Sequence, residues 1–270
     1  MSYKFNKEKH LHTLKDRPLT GTSTVMSVIA KPLTWWASGK AVGHLGWTNA
    51  KYMENGKYKT VPLEERVAVA HEHLQKIKEM TVEEYIKLLD EAYKAHSVSL
   101  KDSADSGTDL HAECERYVKD SIEAGSPMSP ATYPEKIRPF IEWSQKSVER
   151  FLWSEMHTYS EEHWVGGITD AGAELKDGNI AIIDFKSSKE AYASQFWQIA
   201  GYDIQITEKG GYNANGEKVF TLEKPITQHI VVPFGAKDGL PVVSREVVSG
   251  KKAFLAALTI YRELNKLENQ

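Results

Sequence analysis

The segment that most restricts what this chain can become is Ile180-Ala-Ile-Ile-Asp-Phe-Lys186. Its continuous apolar start reads as a β-strand buried on both faces. The preceding Lys176-Asp-Gly-Asn179 has the residue chemistry of a hairpin connection. The partner strand is then His163 to Asp170, with Ala173 to Leu175 as its extension. Asp184 and Lys186 are two apart, so their side chains share one face of the strand. An Asp-x-Lys pair in a strand is most often an exposed ion pair worth little. Here Asp184 closes an apolar run, where a charge needs compensation. Its placement weighs against the surface reading without removing it.

The hairpin also determines what Asp184 can meet. A turn at Asp177 and Gly178 carries Asp170, at the end of the upstream strand, close to Asp184. Two carboxylates brought together repel unless a divalent cation lies between them. Oxygen ligands of this kind favour Mg2+ or Mn2+. An adjacent lysine can contact a phosphate oxygen, or help orient or deprotonate an attacking water. Carboxylates, a metal ion and an ammonium group together suit phosphodiester hydrolysis.

Upstream, the first half reads as helical: Leu33 to Leu45, Pro62 to Met80, and a helix opened by the capping box of Thr81 and Glu84. Asp105 to Thr108 reads as a polar break before a helix through Leu110, Cys114, Tyr117 and Val118. Ile137 to Trp153 continues helical spacing, and Glu155 to Ser160 reads as a strand. Downstream of the hairpin come a helix over Glu190 to Thr207, a Gly/Asn-rich loop over Lys209 to Lys218, strands at Gln228 to Pro233 and Val242 to Val247, and a helix over Lys251 to Leu267. The expectation is one α/β domain over 1–270, with a small mixed β-sheet flanked by helices. Residues 1–105 form its helical N-terminal part and 106–270 its catalytic core.

The single cysteine, Cys114, excludes an intrachain disulfide and a Cys-ligated iron–sulfur cluster or structural zinc. The net charge of -3 leaves room for a local basic groove. Met1 to Leu19 lacks the apolar core of a secretory signal, and no run reaches the roughly 18 apolar residues of a membrane span. A cytoplasmic protein without a membrane partner is expected.

Gly166-Gly-Ile-Thr-Asp170, Ile182-Ile-Asp-Phe-Lys-Ser-Ser188 and Gln198-Ile-Ala-Gly-Tyr202 resemble three consecutive motifs of RecB-like nucleases in the PD-(D/E)XK superfamily. Gly107-Thr-Asp-Leu-His111 is similar to that family's helical histidine motif, and Glu155 stands where these proteins carry a further carboxylate. The order and spacing match from about Gly107 to Tyr202. Thr22-Ser-Thr-Val-Met-Ser-Val28 and Lys31-Pro-Leu-Thr-Trp-Trp36 look more weakly like the opening segment of phage-type exonucleases in the group.

The resemblance implies a restriction-endonuclease-like core. Asp170, Asp184, His111 and the Phe185 carbonyl would bind Mg2+ or Mn2+, and Lys186 would be the catalytic lysine. Glu155 would hold a metal-bound water or a second ion, or be only a solvated acid at a strand end. Gln198 and Tyr202, four apart on one helix face, would lie beside the site, contacting DNA or the lysine. Ser187 and Ser188 could donate to phosphate, although a plain strand end serves equally. Lys31, Trp35 and Trp36 could contact DNA by charge and stacking, although paired tryptophans are more often core. The motif-opening proline is absent, with Thr169 before Asp170, and the cluster-binding cysteines of some relatives are missing. No Walker A motif is present.

The expectation is a metal-dependent DNA exonuclease acting at ends in phage or cellular replication, recombination or repair, with a recombination or replication partner allowed for. A structure-specific or restriction-type endonuclease of the same fold, or an inactive DNA-binding protein, are the alternatives.

Overall fold

The computed structural model describes residues 3–29, 34–47, 51–54, 57–236 and 238–268. The chain divides into two compact units, one of Met1–Ala30 with Ser106–Gln270 and the other of Lys31–Asp105. The first begins with a small antiparallel sheet of β1 (Tyr3–Asn6), β2 (Leu11–Leu14) and β3 (Arg17–Pro18), followed by β4 (Thr20–Gly21) and the short helix α1 (Thr22–Val25). The second unit holds α2 (Thr34–His44), a hairpin of β5 (Lys51–Glu54) and β6 (Lys57–Thr60), α3 (Leu63–Glu79) and the first part of α4 (Val82–Ala124). The remainder of α4 belongs to the larger unit. There it is followed by α5 (Arg138–Ser147), β7 (Val148–Ser160), β8 (Val165–Leu175), β9 (Ile180–Lys186) and α6 (Ala193–Lys209). β10 (Gly211–Tyr212), β11 (Lys218–Phe220), β12 (Ile226–Pro233), β13 (Val242–Ser244) and α7 (Val247–Glu268) complete a mixed α/β fold.

Among the described residues the main sheet has eight strands, in the order β11-β10-β7-β8-β9-β12-β13, with β4 parallel beside β8. β7, β8 and β9 run antiparallel, and α6 carries the chain over so that β12 lies parallel to β9. The β8–β9 turn has the chemistry expected of it. Gly178 has φ 83°, the Leu175 N–H donates to the Asn179 carbonyl at 2.8 Å, and the Asn179 N–H donates to Asp177 Oδ1 at 3.1 Å.

β9 is buried on both faces, as its apolar run requires. Ile183 and Phe185 pack with Cys114, Tyr117 and Val118 of α4 and Phe140 and Ile141 of α5. Ile180 and Ile182 face Ile199, Tyr202 and Ile206 of α6. The capping box at the start of α4 is formed, with the Thr81 N–H donating to Glu84 Oε2 at 2.7 Å and the Glu84 N–H to Thr81 Oγ1 at 3.2 Å.

Several expectations are corrected. Residues 3–21 and 51–60 contain strands, so the first 105 residues are not a purely helical part, and residues 3–29 belong with the core unit. α4 continues through Asp105 to Thr108, because one glycine costs a helix only about 1 kcal/mol. Val148 to Trp153 is strand: β-branched and aromatic residues there pair along β8, and that long-range pairing outweighs a local helical spacing. The Lys209 to Lys218 segment contributes β10 and the start of β11 to the sheet. No helix among the described residues is long and apolar enough to cross a membrane.

Trp153 and Gly172 are cross-strand partners, and a Cβ on Gly172 would lie 2.1 Å from the indole. The ring therefore occupies the space a side chain would need. Gly172→Val is expected to lower the unfolding free energy by about 1–3 kcal/mol through overpacking. Urea denaturation followed by far-UV circular dichroism measures it, and an unchanged midpoint would contradict the packing described.

Candidate active site at the open end of the central hairpin

β8 and β9 stay in register from Glu174 opposite Ile180 to Ala171 opposite Ile183, and there the pairing ends. One further step of the same register would set Asp170 against Asp184. Instead the Phe185 N–H donates to Asp170 Oδ2 at 2.7 Å, so a side-chain oxygen takes the place of the ladder acceptor. A strand residue directs its N–H and C=O toward the same neighbour. The Phe185 carbonyl therefore also emerges on the side of Asp170.

β7 yields at the same level. Ser154 opposite Ala171 and Met156 opposite Thr169 bracket Glu155 and Asp170, and Glu155 has φ 48°. A glutamate in this left-handed conformation costs on the order of 1–3 kcal/mol. The distortion sets the Glu155 carboxylate beside Asp170. Burial, Glu115 and Asp170 all push the Glu155 carboxyl above its ordinary range.

This opening lets groups from both faces of the sheet meet. Asp184 shares the α6 face with Ile182 by strand parity, whereas His111 arrives from α4 on the opposite face. Its Nε2 lies 3.0 Å from Asp170 Oδ2, and its ring packs edge-on to Phe185 with centroids 5.6 Å apart. Lys186 Nζ lies 2.7 Å from Asp184 Oδ2. Asp184 is 2% exposed, and its Oδ2 has no hydrogen bond of good geometry despite the ammonium beside it. Burial raises the Asp184 carboxyl to about 6, opposed by Lys186 and reinforced by Asp170. Burial alone would lower His111, but its hydrogen bond to Asp170 and the neighbouring carboxylates hold it above its ordinary value. Burial would likewise lower Lys186, and Asp184 and Asp170 more than offset that. Lys186 is therefore an ammonium ion here.

The pairing pattern bears directly on metal binding. Among the described residues no three His, Cys, Asp or Glu side chains stand around one point in ligand geometry. Asp170 is turned to His111 and Asp184 to Lys186. The donor chemistry nevertheless fits a hard divalent cation: two carboxylates, one imidazole, an adjacent backbone carbonyl, and a buried carboxylate oxygen with no good hydrogen bond.

α6 lines the other side. Gln198 Nε2 donates to Tyr202 Oη at 2.9 Å, and burial together with the Asp184 charge raises the Tyr202 hydroxyl. Gly167 is required by this ring, because a Cβ there would lie 2.6 Å from Tyr202 and 2.9 Å from Thr22 Oγ1. Thr22 Oγ1 donates to the Gly166 carbonyl at 3.1 Å and accepts from Gln205 Nε2 at 2.7 Å, tying α1, β8 and α6 together.

His111, Asp170, Asp184, Phe185, Lys186, Gln198 and Tyr202 thus form one constellation, with Glu155 at its edge. Ser187 is exposed. Ser188 is engaged elsewhere, donating to the Glu190 carbonyl at 2.8 Å and accepting from Gln195 Nε2 at 3.1 Å, which fixes the approach to α6 and leaves no free donor for phosphate. Lys31 and the Trp35 side chain lie outside the described residues. Trp36, in the smaller unit, is exposed with Lys40 Nζ 5.6 Å from its ring centre. Two features escaped the sequence reading. Glu115, one turn after His111 on α4, could have been found from its i+4 spacing. The Thr22–Gln205 link, across 183 residues, had no local signal.

Asp184 sets a pH dependence. Its folded value lies above the ordinary carboxylate value, so its contribution to stability is present below about pH 4 and is lost as pH rises through about 6. A divalent cation bound there competes with the proton. The rise in melting temperature given by Mn2+ is therefore expected to be larger at pH 7.5 than at pH 5, and to disappear in Asp184→Asn. Calorimetry with and without EDTA reads it, and an equal Mn2+ effect in the variant would refute the assignment of Asp184 as a ligand.

No protein-family model and no curated protein matches this chain.

Proposed function

We propose that this protein is a Mg2+- or Mn2+-dependent deoxyribonuclease of the PD-(D/E)XK type, with exonucleolytic cleavage of DNA as the favoured activity. The observation that carries the reading is the meeting of Asp170, Asp184, Lys186 and His111 where β8 and β9 part. The mixed sheet flanked by helices suits a restriction-endonuclease-like core. DNA as substrate accords with an intracellular protein serving phage or cellular replication, recombination or repair.

A bound Mg2+ or Mn2+ would supply a Lewis acid for the phosphoryl oxygen and a more acidic water. Asp170, Asp184, His111 and the Phe185 carbonyl would hold it. Lys186, kept charged by its surroundings, meets the negative charge that builds on the phosphoryl oxygens during in-line attack by water. Gln198 and Tyr202 fix the wall beside Lys186. Glu155, its carboxyl raised above the usual range, would accept or orient a proton of the attacking water.

The test is digestion of end-labelled linear and closed circular DNA with Mg2+, Mn2+ or EDTA. Linear DNA is expected to be degraded from its ends and the circle spared, while EDTA stops the reaction. Lys186→Ala is expected to lower kcat by about 100- to 1000-fold, the loss typical of one charge-stabilising donor. Asp184→Ala is expected to abolish turnover with the circular dichroism spectrum retained. Undiminished cleavage by Asp184→Ala would overturn the proposal, and cutting of the circle would replace exonuclease by endonuclease.

A further inference from the structure

The N-terminal sheet carries a charge surplus that the constellation above does not use. Between Tyr3 and Pro18 five cationic side chains (Lys4, Lys7, Lys9, Lys15, Arg17) stand against two acidic ones (Glu8, Asp16), an excess of +3 in a chain whose net charge is -3. Three of the cations are occupied: Lys4 pairs with Asp16 at 3.0 Å, Lys15 pairs with Glu161, and Arg17 lies 4.9 Å from the centre of the Trp164 ring. Lys7 and Lys9 are exposed in the β1–β2 turn, and neither has an ion-pair partner among the described residues. The turn is built rather than loose, since the Lys9 N–H donates to Asn6 Oδ1 at 2.9 Å. The hairpin is anchored too. Tyr3 Oη lies 2.6 Å from His12 Nδ1 and 3.3 Å from His157 Nδ1 of β7, and the Leu19 N–H donates to the His12 carbonyl at 2.9 Å.

The anchorage relates this turn to the open end of β8. β4, directly after the hairpin, pairs with β8 at Val165 and Gly166. Asp170 lies four residues further along β8, about 13 Å at the rise of a strand. A cavity of about 380 Å3 spans the interval, with walls that include His10 and His12 of the hairpin, Gly167 and Ile168 of β8, and Tyr202 of α6. Tyr202 is also in the field of Asp184 and Lys186, so the cavity reaches from the hairpin to the constellation.

We propose that the β1–β2 turn, through Lys7 and Lys9, grips the phosphodiester backbone of the DNA strand being cut, a few nucleotides from the scissile phosphate. This deepens the nuclease reading and rests on it. The two ammonium groups replace counterions on the backbone, an interaction that is strong at low salt and indifferent to sequence.

The test is fluorescence anisotropy of a labelled DNA duplex against Asp184→Asn protein over a series of salt concentrations, with Lys7→Ala/Lys9→Ala and Lys7→Arg/Lys9→Arg introduced into that background. The alanine pair is expected to weaken binding and to make the slope of log affinity against log salt shallower by about 2, one for each phosphate no longer neutralised. The arginine pair is expected to restore the slope. Thermal melting confirms that each variant is folded. DNA binding with the same slope in the alanine pair overturns this inference alone, provided the unmutated protein still cleaves DNA. Absence of both binding and cleavage in the unmutated protein overturns it together with the nuclease reading.

Discussion

A carboxylate at the buried end of β9 is the constraint on which the rest depends. Asp184 follows four apolar residues and lies between α6 and the sheet, nearly closed to solvent. A lone charge there would be strongly unfavourable. The chain answers with Lys186 two residues on, which parity sets on the same face. Ending the β8–β9 ladder one step early lets Asp170 take a backbone N–H and the His111 imidazole. Two carboxylates, an imidazole and an ammonium group thus share one opening in the sheet, and the carboxylates raise both His111 and Lys186 above their ordinary values. Such mutual dependence makes single removals severe, because each leaves an uncompensated partner.

That opening is held rigid by the close approach of other elements. Gly166 has no side chain to hold His12 and Leu19 away, and Gly167 has none to hold α1 and α6 away, so Thr22 and the Tyr202 ring lie directly on β8. The Thr22–Gln205 hydrogen bond locks them. In the same turn of α6, buried Asp203 accepts from Thr207 and meets His229 of β12 at 3.0 Å and Lys251 of α7 at 2.8 Å. The helix that presents Gln198 and Tyr202 is therefore held from two sides over the turn of 202–205, against β8 and against β12. A side-chain constellation needs that rigidity if its members are to keep their relative geometry.

How much of this was legible depended on how local the cause was. The β8–β9 hairpin was readable because apolar run, turn chemistry and strand parity all act within about 20 residues. The same parity placed Asp184 with Lys186, and the turn placed Asp170 near them. His111 is different: nothing in the spacing of a helix on the far face says that it reaches Asp170, and only the resemblance pointed to it. Val148 to Trp153 misled because Val148, Phe151 and Leu152 fit a helical stripe as well as a strand, and pairing with β8 decides between them. Ser188 was readable as a donor, yet its partners, Glu190 and Gln195, are set by how the chain turns into α6. Local chemistry gave the residue types, and tertiary geometry decided which of them were free.

The charge arrangement links fold and proposed chemistry more closely than a set of ligands would. Asp170 and Asp184 are already paired, with His111 and with Lys186, without converging on one point. Under the proposed function Lys186 becomes available to a phosphate once the carboxylates are balanced in another way, while His111 would turn to the metal. The ion pairs then act as placeholders that keep buried charges compensated between turnovers. Lys186 suits this exchange because its ammonium is a compact charge on a flexible stem, able to move from carboxylate to phosphate oxygen without a change in its protonation. Asp184, with a carboxyl near 6, is the member whose charge is most easily lost. The ability of the whole arrangement to exchange partners therefore turns on keeping that one buried group ionised.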